Sequence, residues 1–125
     1  MKKKSQSGSA LLAVIVISAL ATMIFTSATS SLLGQLLQSN TSANSSKAYL
    51  LAESGIEDAI LNLLRNENYS GGILTLDSND ITITVTDSNP KIVTSSVIYN
   101  KTKRTIEITA LFTDNYLQIT SWKEI

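Results

Sequence analysis

The sequence predicts an α+β protein: a long N-terminal helix, membrane-spanning in its first half and amphipathic in its second, packed on a small antiparallel sheet of about five strands. Three observations carry this. Residues 9–66 contain no proline and hold apolar residues first almost continuously, then at helical spacing. Residues 71–125 are rich in threonine and isoleucine and alternate with period two. Short clusters of Asp, Ser, Asn and Gly punctuate that second region at strand length.

The 125 residues give room for one small domain. There is no histidine and no cysteine. That removes disulfides, thiolate or imidazole metal sites and Cys/His nucleophiles together, so no catalytic centre, no cofactor and no metal is expected. Charge is unevenly placed: Lys2, Lys3 and Lys4 are followed by no charged residue until Lys47. Without residues 1–8, seven basic residues face ten acidic ones, a balance of −3. Nucleic acid is not indicated by that electrostatic footprint. Eighteen serines and fourteen threonines beside one apolar terminus read as an exported protein.

The apolar stretch of the helix runs from Ala10 to about Thr29, interrupted by Ser18, Thr22, Thr26 and Ser27. About 20 residues rising ~1.5 Å each cross a ~30 Å hydrocarbon core. Lysines on its N-terminal side alone orient the span, with the N-terminus in the cytoplasm and the rest outside. The segment "SNTSANSS", residues 39–46, holds poor helix formers and is expected as a break. Beyond it Ala48, Leu51, Ala52, Gly55, Ile56, Ala59, Ile60, Leu63 and Leu64 form one stripe on a 3.6-residue helix. That stripe is expected to pack on the sheet. "YSGG", residues 69–72, is expected to end the helix.

In the second region "ITITVT" puts Ile81, Ile83 and Val85 on one face, and "RTIEITALF" does the same for Ile106, Ile108, Ala110 and Phe112. "KIVTSSVIY" joins the latter through the hairpin signal "NKTK". "ILTL" and "YLQITSW" complete about five strands, with "DSND", "DSNP" and "TDN" as turns.

The first segment has three readings: a cleaved secretory signal, a single-span anchor, or a segment that is cut and then kept. Ala21 and Ser30 end small-residue runs of the secretory kind, yet the apolar pattern continues past both. Neither of the first two readings gives Gly8 a role. The basic leader, the glycine, "GSALL" and the later "KAYLLAESGIEDAILNLL" resemble type IV pilin-like proteins, more narrowly the minor pilins and pseudopilins of the PilX or general-secretion K type. The resemblance covers residues 2–66. It implies cleavage by a prepilin peptidase between Gly8 and Ser9, on the cytoplasmic side, and methylation of the new terminus. It further implies a non-enzymatic filament subunit whose partners are the cytoplasmic membrane before assembly, the prepilin peptidase, and other pilin-like subunits afterwards. Ala10, Leu11, Leu12, Ala13, Val14, Ile15, Val16, Ile17, Leu20 and Phe25 would form the membrane segment and then the filament core. Leu51, Ala52, Gly55, Ile56, Ala59, Ile60 and Leu63 would pack helix on sheet. The expected domains are a leader (1–8), a membrane or filament-core half-helix (9–38), an amphipathic half-helix (39–66) and a β domain (67–125). The final location would be an extracellular or periplasmic filament.

The sequence departs from the family pattern at Ala13, the fifth residue after the cut, where most such subunits carry glutamate. No acidic residue precedes Glu53. A carboxylate in hydrocarbon needs a partner, and in the family that partner is a neighbour's amino terminus. By resemblance, the K-type pseudopilin also lacks it and sits at the filament tip; assembly by apolar packing alone is the other account. The rival function, from a different class, is a single-span anchored or secreted β-rich binding domain that does not polymerise.

Other clusters read as structural. Glu53, Glu57 and Asp58 form a solvated helix face. Asp77, Asn79 and Asp80, or Asp87 and Asn89, lack the glycine and distal glutamate of a calcium loop and read as turns. Lys101, Lys103 and Arg104 are expected to protect a sheet edge by charge. Trp122 is expected to pack.

Overall fold

The computed structural model describes residues 7–114 and 116–125. The leader lysines Lys2, Lys3 and Lys4 lie outside them. The fold is α+β: one helix, α1 (Ser7–Arg65), and five strands, β1 (Gly71–Leu76), β2 (Asn79–Val85), β3 (Lys91–Tyr99), β4 (Thr102–Thr113) and β5 (Tyr116–Glu124). Two compact units divide the chain, one ending at Ser39 and the other formed by Asn40–Ile125.

In the second unit the strands form an antiparallel meander in the order β1-β2-β3-β4-β5. Two of its hairpins close with two-residue turns whose central residues have positive φ: Asp77 and Ser78 (49° and 62°), and Asn100 and Lys101 (45° and 67°). Such turns match the right-handed strand twist, and after glycine Asn and Asp tolerate them best. The register places Ile81 opposite Val97, Val85 opposite Val93, Val93 opposite Ile108, and Ser95 opposite Ile106. One sheet face is therefore built mainly from β-branched side chains, with Ser95 among them.

Helix residues 48–63 cover that face. The core consists of Ala48, Leu51, Ala52, Ile56, Ala59 and Leu63 from α1 against Ile81, Ile83, Val93, Val97, Ile106 and Ile108. Gly55 is buried and Ile60 half-buried beside them. Ala48, Ala52, Gly55 and Ala59 recur at spacings of four, three and four, so they form the centre line of the buried face. Small residues there bring the helix axis close to the sheet, while Leu51, Ile56 and Leu63 fill the flanks. Each buried Leu, Ile or Val contributes roughly 1.5–3 kcal/mol relative to exposure. The cluster includes no residue of β5, and β1 adds only the half-buried Leu74.

Several expectations need correction. The helix stops at Arg65, with the Asn66 amide bonded to the Asn62 carbonyl, so "YSGG" does not end it. Gly71 and Gly72 instead open β1. Gly71 has φ +104°, and a Cβ there would overlap the Ile83 carbonyl oxygen across the ladder. Leu64 leaves the stripe and is 56% exposed, because 100° of rotation past Leu63 carries it off the buried face. Residues 39–46 are helical without a break. Arg104 does more than charge the hairpin, since its guanidinium donates to Ser45 of α1 and to Glu124 of β5. Trp122 remains 42% exposed, opposite Ile108 on a strand the helix does not cover.

Candidate functional site

The candidate site is the surface of α1 in the first unit. Leu11, Leu12, Val14, Ile15, Val16, Ile17, Leu20 and Phe25 are each at least 55% exposed and lie all around the helix. Ala10 and Ala13 are exposed among them. A helix that is apolar on every side has no aqueous face to present. By length and composition α1 is long and apolar enough to cross a membrane.

The hydroxyls along this surface turn inward. Ser18 donates to the Ile15 carbonyl (2.9 Å), Thr22 to Ala19 (2.8 Å), Thr26 to Thr22 (2.7 Å), Ser27 to Met23 (2.9 Å), Thr29 to Phe25 (2.9 Å) and Ser30 to Thr26 (3.0 Å). Each hydroxyl thus finds its acceptor on its own helix and needs no water. An unmade hydrogen bond would cost several kcal/mol in hydrocarbon, on the order of what a lone polar group costs there.

Gly8 begins this surface, with Ser9 exposed after it. A Cβ built on Gly8 meets nothing within 4 Å, and the residue needs no left-handed φ. Neither packing nor backbone conformation therefore calls for glycine at this position. Gly55 and Gly71 differ, since a Cβ at either would collide with sheet atoms.

Among the described residues no three His, Cys, Asp or Glu side chains gather as metal ligands. Glu57 is exposed, Glu53 half-buried, and Asp58 accepts from the Asn62 amide (2.9 Å). Asp77 pairs with Lys47 (3.1 Å), and Asp80 accepts from Thr75 (2.8 Å), so both serve the β1–β2 hairpin. Asn89 bonds both backbone groups of Phe112 through its carboxamide, extending the ladder past Lys91. Burial raises the Tyr69 phenol above its ordinary pKa, and the negative charge of Asp58 adds to the effect.

Cavities open beside the helix and, past its C-terminal end, between residues 68–70 and the end of β2. One of about 330 Å³ is lined by Ser45, Ser46, Tyr49, Leu50, Arg104 and Glu124. The Arg104 guanidinium there donates to Ser45 Oγ and to Glu124. The other, about 300 Å³, is lined by Asn68, Tyr69, Ser70, Val85, Thr86 and Asp87. Sequence reasoning missed the contacts of Asn44 and Ser45, because a short polar side chain carries no long-range signal in one dimension.

No family model, curated protein or solved structure matches the chain.

Proposed function

We propose that the protein is a structural subunit of a type IV pilin-like filament. It enters the cytoplasmic membrane as a precursor, is cut after Gly8 by a prepilin peptidase, and assembles with other pilin-like subunits through its apolar helix. The observation that carries this reading is the pairing of a helix apolar all round with a glycine, Gly8, that the fold does not need. A helix leaving lipid needs a substitute apolar partner, and a bundle of like helices supplies one. Subunits added head to tail build an open helical filament. The domain of Asn40–Ile125 would then face outward. Its core is closed by its own helix.

Ala13 supports a narrower assignment, to a low-copy or tip subunit, because no carboxylate near the start of the helix is present to hold a neighbour's terminus.

N-terminal sequencing of the mature protein tests the reading. A terminus at Ser9 is expected, methylated by the same enzyme. An intact terminus would establish a permanent single-span anchor, and one near Thr22 or Ser31 a secreted β-rich domain.

A further inference from the structure

We propose that Asn68 is an acceptor for N-linked glycosylation. The inference rests on export of the second unit, which the filament, anchor and secreted readings share. The sequence carries the motif Asn-X-Ser/Thr four times: Asn40-Thr41-Ser42, Asn44-Ser45-Ser46, Asn68-Tyr69-Ser70 and Asn100-Lys101-Thr102. The motif alone is common. It becomes an acceptor where the carboxamide and the hydroxyl two residues on both reach solvent, in an irregular surface segment of an exported protein. The fold separates the four copies. Asn40 and Asn44 lie within α1. Residues two apart on a helix point about 200° apart around its axis, so neither carboxamide shares a side with its serine. Asn100 donates its carboxamide to Asn44 Oδ1 (3.2 Å), and its Thr102 is half-buried.

Asn68 differs in each respect. Residues 66–70 join α1 to β1 outside helix and strand. The Tyr69 amide bonds the Asn66 carbonyl (3.0 Å), the Asn68 amide bonds Asn66 Oδ1 (3.0 Å), and the Ser70 carbonyl accepts from the Val85 amide (3.2 Å). These bonds hold the segment by its backbone. They leave the side chains of Asn68 and Ser70 without a hydrogen-bond partner among the described residues. Tyr69 packs half-buried against the core, whereas Asn68 and Ser70 on either side of it are exposed and line the same cavity of about 300 Å³. Carboxamide and hydroxyl therefore share an open side. In the transfer the Asn68 amide nitrogen bonds to the anomeric carbon of a sugar carried on a polyprenyl pyrophosphate. The anomeric C–O bond breaks, the pyrophosphate leaves with its electron pair, and the nitrogen gives up one proton to a base of the transferase. No backbone bond of residues 66–70 is touched by that exchange.

Mass spectrometry of the mature protein, isolated from the cells that make it, tests this. Trypsin cuts after Arg65 and Lys91, so the peptide 66–91 carries Asn68 and no other copy of the motif. Its mass should be raised by whole sugar residues, while the peptides holding Asn40, Asn44 and Asn100 stay unmodified. Asn68→Gln and Ser70→Ala should each abolish the addition, and Ser70→Thr should keep it. All three replace exposed side chains outside the core. A protease applied to spheroplasts reports separately whether the second unit is outside the membrane. An unmodified peptide 66–91 overturns the proposal. If the unit is digested, the glycan assignment alone falls; if it is protected, the reading of its export falls as well. Sugar on Asn100 in place of Asn68, or an addition to Asn68 indifferent to Ser70→Ala, would likewise overturn it.

Discussion

Gly55 faces Ser95 across the helix–sheet interface so closely that a Cβ on Gly55 would overlap Ser95 Oγ and lie 2.6 Å from Ile81 Cγ2. Ser95 sits centrally on β3 and is wholly buried, and its hydroxyl has no hydrogen-bond partner among the described residues. A buried hydroxyl without a partner is costly. A small side chain fits this close approach, whereas Val93 and Val97 on either side are larger and equally buried. The smallest residue on α1 and a small one on β3 thus set the interlayer distance together.

Gly55→Ala should lower stability by about 1–3 kcal/mol despite the better helix propensity of alanine, since the helix must rise or Ile81 must shift. Ser95→Ala should leave stability unchanged or raise it, because it removes the unpaired hydroxyl. The double variant should recover part of the loss, and Ile81 should keep it from recovering all. Thermal unfolding of the full chain in micelles, followed by fluorescence of Trp122, measures each. Additivity of the two substitutions would show that they do not share the contact.

Much of this arrangement was legible in the sequence, since period-two alternation set the strands and Asp-Ser and Asn-Lys set two turns. The stripe from Ala48 to Leu63 named the buried helix face. What escaped were features decided by distant partners. Residues 39–46 read as a break because propensity is local, whereas Asn44 and Ser45 are held by Asn100 and Arg104 more than fifty residues away. Gly71 read as a helix stop because a glycine pair near a helix end suggests one. Its conformation is instead demanded by the close approach of β2. Arg104 read as a charge protecting a sheet edge because nothing in one dimension links it to Ser45 and Glu124, its partners in the fold. The exposed apolar surface of the candidate site was visible in composition, but the lack of any structural need for Gly8 was not.

The glycines separate into two kinds that substitution should distinguish. Gly71→Ala should be costly, by about 1 kcal/mol for the left-handed conformation and more for the clash with Ile83. Gly72→Ala should be mild, because its Cβ would meet only Tyr69 Oη at 3.8 Å. Gly34→Ala should strengthen the helix by up to about 1 kcal/mol. Gly8→Ala should leave folding untouched, so any loss of processing reports recognition at the cut. Unfolding midpoints and precursor-to-mature ratios read these outcomes separately.

Tyr69 should give the protein a stability that declines at high pH. Its folded pKa is raised, so between the ordinary value near 10 and the folded value the native state holds a proton that the unfolded chain has lost. The contribution is fully present below the unfolded value and is lost as pH rises through the folded one. Asp58→Asn should narrow that window by removing the charge that opposes the phenolate. Unfolding midpoints across this range, compared with Tyr69→Phe, measure the effect; an identical profile in Tyr69→Phe would assign the decline to another group.

Ala13 bears on how many copies a filament carries. A shaft subunit repeats the contact between its terminus and a neighbour hundreds of times, whereas a subunit at an end makes that contact once. In a low-dielectric core an ion pair has a large effect on register, and its loss is least felt where the contact is fewest. Under the filament reading, quantitative mass spectrometry of sheared filaments should therefore find this chain rare relative to a major subunit. Were it the dominant component, apolar packing along Leu11, Leu12, Ile15 and Val16 would suffice and the tip assignment would fail. Ala13→Glu adds a second measurement. A carboxylate there would enter the membrane span without an ammonium partner, at a cost of about 2.5–3.5 kcal/mol on insertion scales. A tip subunit has no neighbour above it to offset that cost, so incorporation should fall. In a shaft subunit the same substitution would restore a docking bond, and incorporation would rise.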